Sequence, residues 1–375
     1  MIGLNDFPRQ WEDTRAAALE AFRRVGESGW YVLGREVRGL EAALAARWGL
    51  SYAVGVASGL DAIELSLRIL GCGPGDKVLT TPLSAFATTL AIVKLQATPV
   101  FVDTDEFGLL DLEACREVLR QRPDIRFMVP VHLYGYALNL RELRAIGEEC
   151  GCRIVEDCAQ SILACSGGKA AGTAGQLAAT SFYPTKNLGA MGDGGAILTG
   201  DEGYYHAARA LRDYGQGAKY RHDRVGYNSR LDELQAALML DAYLPKLEAW
   251  TARRRQIAGR YLAGLQGPAV APLGSPPLSD SVWHLFPVRI AGGRKQEFLQ
   301  FLKANGIIAG EHYPIAIPDQ KALDSVPHEV IGDCARARVI ARSEASLPIH
   351  PYLRDDEVDQ VIAACRQWEA ECCRW

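Results

Sequence analysis

Short apolar runs alternate with helical periodicity between residues 53 and 199 of this 375-residue chain, and that alternation leaves few folds open. The runs span 53–56, 77–80, 99–102, 127–131, 153–157, 180–183 and 196–199. Between several of them lie amphipathic stretches. Leu60, Ile63, Leu67 and Leu70, for instance, fall on one helix face. A strand buried on both faces reads as an unbroken apolar run, and a helix between two such strands returns the chain to start the next in the same direction. The expectation is an α/β fold with a seven-stranded, mostly parallel sheet covered by helices on both sides.

A chain this long exceeds the roughly 250–300 residues at which one core stops growing, so two domains are expected, 1–245 and 246–375. After Leu231 a charged helical stretch runs through Arg253, Arg254 and Arg255 to Leu265 and is read as the link. Gly267, Pro268, Pro272, Gly274, Pro276 and Pro277 then mark a loop. Beyond it a strand over 283–290, a helix over 296–305 and a closing helix over 357–368 predict a smaller α+β C-terminal domain.

The formal net charge is −4 and no lysine or arginine tract stands out, so nucleic acid and membrane surfaces have no electrostatic support as partners. No apolar run approaches the 18 residues or so of a membrane span. Ten cysteines include Cys150 and Cys152, one residue apart, and the adjacent Cys372 and Cys373, but no C-x-x-C pair. With no cationic and apolar leader over residues 1–10, reduced thiols in the cytoplasm and no metal centre are the expectation.

Two residues carry the chemistry. Lys186 follows an apolar run and precedes the glycine-rich 189–195, where backbone can approach a ligand closely, a setting that suits an amine forming a Schiff base with a carbonyl cofactor. Asp157 ends the apolar run 153–157, and the carboxyl ends of parallel strands are where α/β proteins place ligand groups. An acid there can pair with the protonated ring nitrogen of pyridoxal phosphate (PLP), or it can simply cap the following turn.

Ser58-Gly59, Gly73-Pro74-Gly75-Asp76, His132-Leu133-Tyr134-Gly135, Glu156-Asp157-Cys158-Ala159-Gln160, the run from Ser181 to Gly195, and Asn228-Ser229-Arg230-Leu231-Asp232-Glu233 occur in a recognisable order. Together they resemble the DegT/DnrJ/EryC1/StrS family of PLP-dependent aminotransferases acting on nucleotide-linked keto sugars, from about Gly29 to about Tyr352. The resemblance implies the type I aminotransferase fold, a large PLP-binding domain with the seven-stranded sheet, and the following roles. Lys186 anchors the cofactor and moves the proton. Asp157 meets the ring nitrogen and Gln160 the phenolic oxygen. Ser181 and the helix beginning at Ser58, Gly59 and Leu60 hold the phosphate. Asn228 reaches the phosphate of a neighbouring subunit, so the implied assembly is a homodimer with shared active sites, although an Asn-Ser turn capping the helix near Asp232 fits equally well.

Trp30, Tyr31, Tyr183 and His132 occupy motif positions near the family's site, and His132 is given no catalytic role. His312 and Tyr313 match a substrate-side motif that equally suits a packed loop anchor, and Tyr220 and His222 lie on a segment expected to face the partner's pocket. Three departures stand out. Leu60 replaces a threonine, Ala85 sits where an aromatic ring stacks on the cofactor with Phe86 one position along, and 315–318 lacks a histidine. The implied reaction passes an amino group from an amino acid, glutamate first, by way of pyridoxamine phosphate to a keto sugar on dTDP, at C3 in preference to C4. A keto cyclitol substrate stays open. So does a non-catalytic regulatory or scaffold protein of the same fold. A dehydratase would replace Lys186 with histidine, and here the lysine is intact.

Overall fold

The structure, a computed structural model, describes residues 1–372, with Cys372 represented by its backbone. All seven expected runs form strands: β1 (Tyr52–Val56), β2 (Lys77–Thr80), β3 (Thr98–Phe101), β4 (Ile125–Val129), β5 (Arg153–Asp157), β6 (Leu177–Ser181) and β7 (Gly195–Thr199). Later in the chain come β8 (Val270–Pro272), β9 (Phe286–Ile290), β10 (Glu329–Val330) and β11 (Glu344–Leu347). The main sheet runs β1-β7-β6-β5-β4-β2-β3-β10. Its pairings are parallel from β6 to β10, while β7 lies antiparallel between β1 and β6. The eighth strand, two residues at the β3 edge, has no apolar run to announce it.

Strand β6 begins and ends earlier than the expected 180–183. Alanines 178 and 179 are buried in it although alanine is a poor strand former, whereas aromatic Phe182 leaves the ladder and exchanges backbone bonds with Gly194 and Ala190. The glycines that follow are explained by packing more than by ligand approach. A Cβ on Gly189 would stand 2.4 Å from the Pro184 carbonyl oxygen, one on Gly195 2.4 Å from that of Ser58, and one on Gly194 2.9 Å from Leu231. Of these three only Gly194 also lines the cavity described below. Replacing Gly195 with alanine is expected to cost about 1–3 kcal/mol in urea unfolding, because β7 cannot retreat from Ser58 without breaking its pairing on both sides.

The expected charged helix after Leu231 is interrupted. The helix Glu233–Leu238 passes into a π-helical turn, Met239–Tyr243, and a 3₁₀ turn, Leu244–Lys246, before Leu247–Gly264 resumes. Pro245 lacks the N–H that a continuous ladder needs. Strands β8, β9 and β11 form a separate antiparallel sheet, and the helices Lys295–Ala304 and Asp355–Cys372 meet through the rings of Phe298 and Trp368, 5.6 Å apart. One apolar core runs from Val100 and Met128 in the main sheet to Val361 and Trp368. The eight cysteines described with side chains are free thiols. Cys373 and the Cys372 side chain lie outside the described residues. No helix among the described residues is long and apolar enough to cross a membrane.

Candidate active site

The carboxyl ends of β1, β5 and β6 open on one cavity of about 490 Å³, which is also lined by His284 and Leu285 just before β9, by His312 and Tyr313, and by Leu347 and Ile349 at the end of β11. Ser58, Gly59, Leu60, Ala85, Asp157, Ser181, Tyr183, Lys186, His312 and Tyr313 line it. Residues far apart in the chain, chosen for their chemistry, are thus brought together.

Asp157 is buried at the end of β5. One carboxylate oxygen accepts from the Thr88 hydroxyl at 2.8 Å and the other from the Ala159 amide at 3.0 Å, so it also makes the turn-capping contact. Burial raises its pKa, and those two donors and the Lys186 charge work against the rise. A cation in the cavity would favour the ionised form further. Lys186 is half-buried, and among the described residues its amine has no hydrogen-bond or ion-pair partner. Burial lowers its pKa to about 8 against the pull of Asp157. A useful fraction of the amine is therefore uncharged near neutrality, the state in which it attacks a carbonyl. Its loop is pinned next door, where buried Asn187 donates to the Val282 carbonyl at 3.2 Å and pairs with His284 Nδ1 at 3.1 Å.

The same cavity also presents groups suited to an anion. The Ser58 side chain caps the helix Gly59–Ile69 by accepting from the Asp61 amide at 3.1 Å, which leaves the Gly59 and Leu60 amides, the first of the helix, without intrahelical acceptors. Ser181 Oγ would lie 3.1 Å from a Cβ on Gly59, so its hydroxyl shares that end. An unpartnered amine, a buried carboxylate and an anion cradle in one cavity fit a carbonyl cofactor that carries a ring nitrogen and a phosphate. Leu60 adds no hydroxyl. Phe86 packs against the main core and is not among the residues that line the cavity, so it does not stand in for the missing aromatic lining.

Gln160 stands one layer back. Its oxygen accepts from the Tyr134 amide at 2.7 Å and its amide donates to the Tyr313 hydroxyl at 3.2 Å, so it meets the cavity through Tyr313. His132 is architectural. Its Nδ1 accepts from the Leu138 amide, leaving Nε2–H to donate to Glu156, which also collects the amides of Gly172, Ala174 and Gly175. Asn228, Trp30, Tyr31, Tyr220 and His222 lie outside the cavity, on exposed surface of their own chain. Asn228 bridges by backbone to Asp213 and does not cap the helix after Asp232. Ser229 instead bonds Asp61 and Ala57, steadying the start of the Gly59–Ile69 helix. Sequence reading gave no role to Thr88, His284 or the buried pair Glu344 and Ser346 behind His312. Each acts through a partner distant in the chain, and Thr88 alone sat in a motif that could have flagged it.

A model of the DegT/DnrJ/EryC1/StrS aminotransferase family matches residues 12–366. The chain is 42% identical over 366 residues to the dTDP-3-amino-3,4,6-trideoxy-alpha-D-glucose transaminase of Streptomyces venezuelae, covering 97% of this chain and 95% of the relative. It superposes on the crystal structure of S. venezuelae DesV in complex with a ketimine intermediate with a TM-score of 0.93 and 41% identity, over 98% of both chains. NtdA from Bacillus subtilis, solved with bound cofactor PMP, matches with a TM-score of 0.86 and 26% identity, over 95% of this chain and 82% of that one.

Proposed function

This chain belongs to the DegT/DnrJ/EryC1/StrS aminotransferase family and is a PLP-dependent aminotransferase, and on that premise we propose that it moves the amino group of L-glutamate to the 3-keto group of a dTDP-linked keto-deoxy sugar. The observation that carries the reading is the meeting of Lys186, Asp157 and a helix N-terminus on one cavity. The name of the S. venezuelae relative supports the dTDP carrier and the C3 position.

When bound, the cofactor supplies an electron-withdrawing cationic ring and a carbonyl that exchanges amines. The chain's own residues supply the rest. Ser58, Ser181 and the Gly59 and Leu60 amides hold the phosphate, and Asp157, oriented by Thr88, keeps the ring nitrogen protonated. Lys186 would anchor the cofactor by its amine and, with that amine free, would hold and move a proton at Nζ. Gln160 fixes the hydroxyl of Tyr313, which lines the same cavity. Tyr220, 82% exposed, and the exposed His222 and Asn228 are surplus to their own cavity, which supports a homodimer in which they complete the neighbouring subunit's site. Trp30 and Tyr31, 63% and 56% exposed, are likewise free to meet a neighbouring subunit.

The test is a panel of dTDP-linked 3-keto and 4-keto sugars and a keto cyclitol, incubated with the holoenzyme and glutamate and read by mass spectrometry. Amine in place of carbonyl on the 3-keto sugar is expected. Faster amination of the 4-keto sugar or the cyclitol, or failure of glutamate to change the spectrum of the bound cofactor, would overturn the reading.

A further inference from the structure

We propose that buried Glu344, acting through Ser346, holds His312 with its ring proton on Nδ1 and the Nε2 lone pair turned to the cavity, where it accepts a hydrogen bond from a sugar hydroxyl beside the reacting carbon. The inference rests on the nucleotide-sugar reading above and names the residues that read the sugar.

Glu344 and Ser346 lie on β11 with no exposed surface. A carboxylate so placed persists only with donors on both oxygens. One oxygen accepts the His312 amide at 2.7 Å and the other accepts the Ser346 hydroxyl. Serine has a single hydroxyl hydrogen, and here it goes to Glu344. Toward His312 Nδ1, 2.9 Å away, Ser346 can therefore act only as acceptor, so Nδ1 carries the proton. Burial first and the Lys186 charge second, with Glu311 opposing, together lower the His312 pKa to about 4, so the ring is neutral and Nε2 is a bare acceptor.

The ring has little freedom to escape this arrangement. Besides Nδ1 and the amide, the His312 carbonyl accepts from the Tyr134 hydroxyl at 2.7 Å. Nε2 has no partner among the described residues, and His312 lines the cavity. Around the carboxylate, Lys295 from the helix Lys295–Ala304 pairs with Glu311 at 2.7 Å and contributes positive charge. Burial pushes the Glu344 pKa up to about 7, against the bonds from Ser346 and His312 and the charge of Lys295. The arrangement accordingly holds on the alkaline side of about 7. Glu344 and Ser346 are positioning residues, and His312 is the one that touches substrate.

Glu344→Gln gives a sharp test because its amide oxygen must accept the His312 N–H, leaving the NH₂ to donate to Ser346. Ser346 then turns its hydrogen to Nδ1, and the ring proton moves to Nε2. ¹⁵N NMR of histidine-labelled holoenzyme, on the alkaline side of the Glu344 titration, is expected to show protonated Nδ1 in wild type and protonated Nε2 in Glu344→Gln. In parallel, kcat/KM is compared for a dTDP-linked 3-keto sugar and the analogue with the neighbouring hydroxyl replaced by fluorine, which cannot donate. Wild type is expected to prefer the hydroxyl about tenfold or more, and Glu344→Gln to narrow the gap to within about threefold. Should Glu344→Gln not fold, Ser346→Ala removes the same link, and a mixture of tautomers with the same narrowing is expected. Protonated Nε2 in wild type, or an unchanged preference in folded variants, overturns the proposal. If no nucleotide sugar is aminated at all, the substrate reading has failed, and the NMR result still decides the tautomer.

Discussion

Lys186→Ala protein is expected to lose transamination by at least about a thousandfold, since one amine both anchors the cofactor and moves the proton. Borohydride treatment of the wild-type holoenzyme should leave cofactor mass on the peptide containing Lys186, and the variant should carry none. The pH dependence follows from burial. An ordinary lysine loses its proton near 10.5, whereas Lys186 does so near 8, so the rate of attachment in cofactor-free enzyme should climb as pH rises through about 8. A climb centred near 10.5 would mean that the amine is solvated and that the cavity does not prepare it.

Asp157→Asn should reduce kcat by about a hundredfold to ten-thousandfold while leaving the fold intact, because an amide has no charge with which to hold a ring nitrogen protonated. The stability sign separates this from simple damage. Burial raises the Asp157 pKa above its unfolded value, so in cofactor-free protein the charged form costs stability once pH exceeds the unfolded pKa. At neutral pH the cofactor-free variant should therefore unfold at a urea concentration equal to or above that of wild type, while added PLP stabilises it less. A variant with kcat within tenfold of wild type would show that Asp157 serves only as the cap on Ala159.

The sheet was legible because its strands are buried on both faces and leave unbroken apolar runs. Legibility failed where another force set the structure. Strand β6 is rich in alanine, admitted by tight packing against neighbours, so its centre was read too late. Strand β10 is two residues long and pairs only with the distant β3, which no local pattern reports. The helix break at Pro245 was visible as a proline but was outweighed by the charged periodicity around it.

The site divides along the same line. Asp157, Ser58 and Ser181 stand at strand or helix ends and Lys186 in the loop that follows Ser181, places where sequence position alone suggests exposure to a ligand, and all four line the cavity. Gln160 looked equally direct yet turns its amide to Tyr313. Thr88, His284, Glu344 and Ser346 work through hydrogen bonds that cross large separations in the chain, and nothing in their immediate neighbours encodes those partners.

The cavity is lined by two main stretches of chain, residues 58–194 and residues 284–349, with Leu4 and Asn5 beside them. Heritable change in the later stretch can therefore reshape what enters the enzyme as long as His284, which holds the Lys186 loop through Asn187, is kept. A chimera that borrows only the later stretch from a relative should inherit that relative's choice of acceptor and keep its own coenzyme.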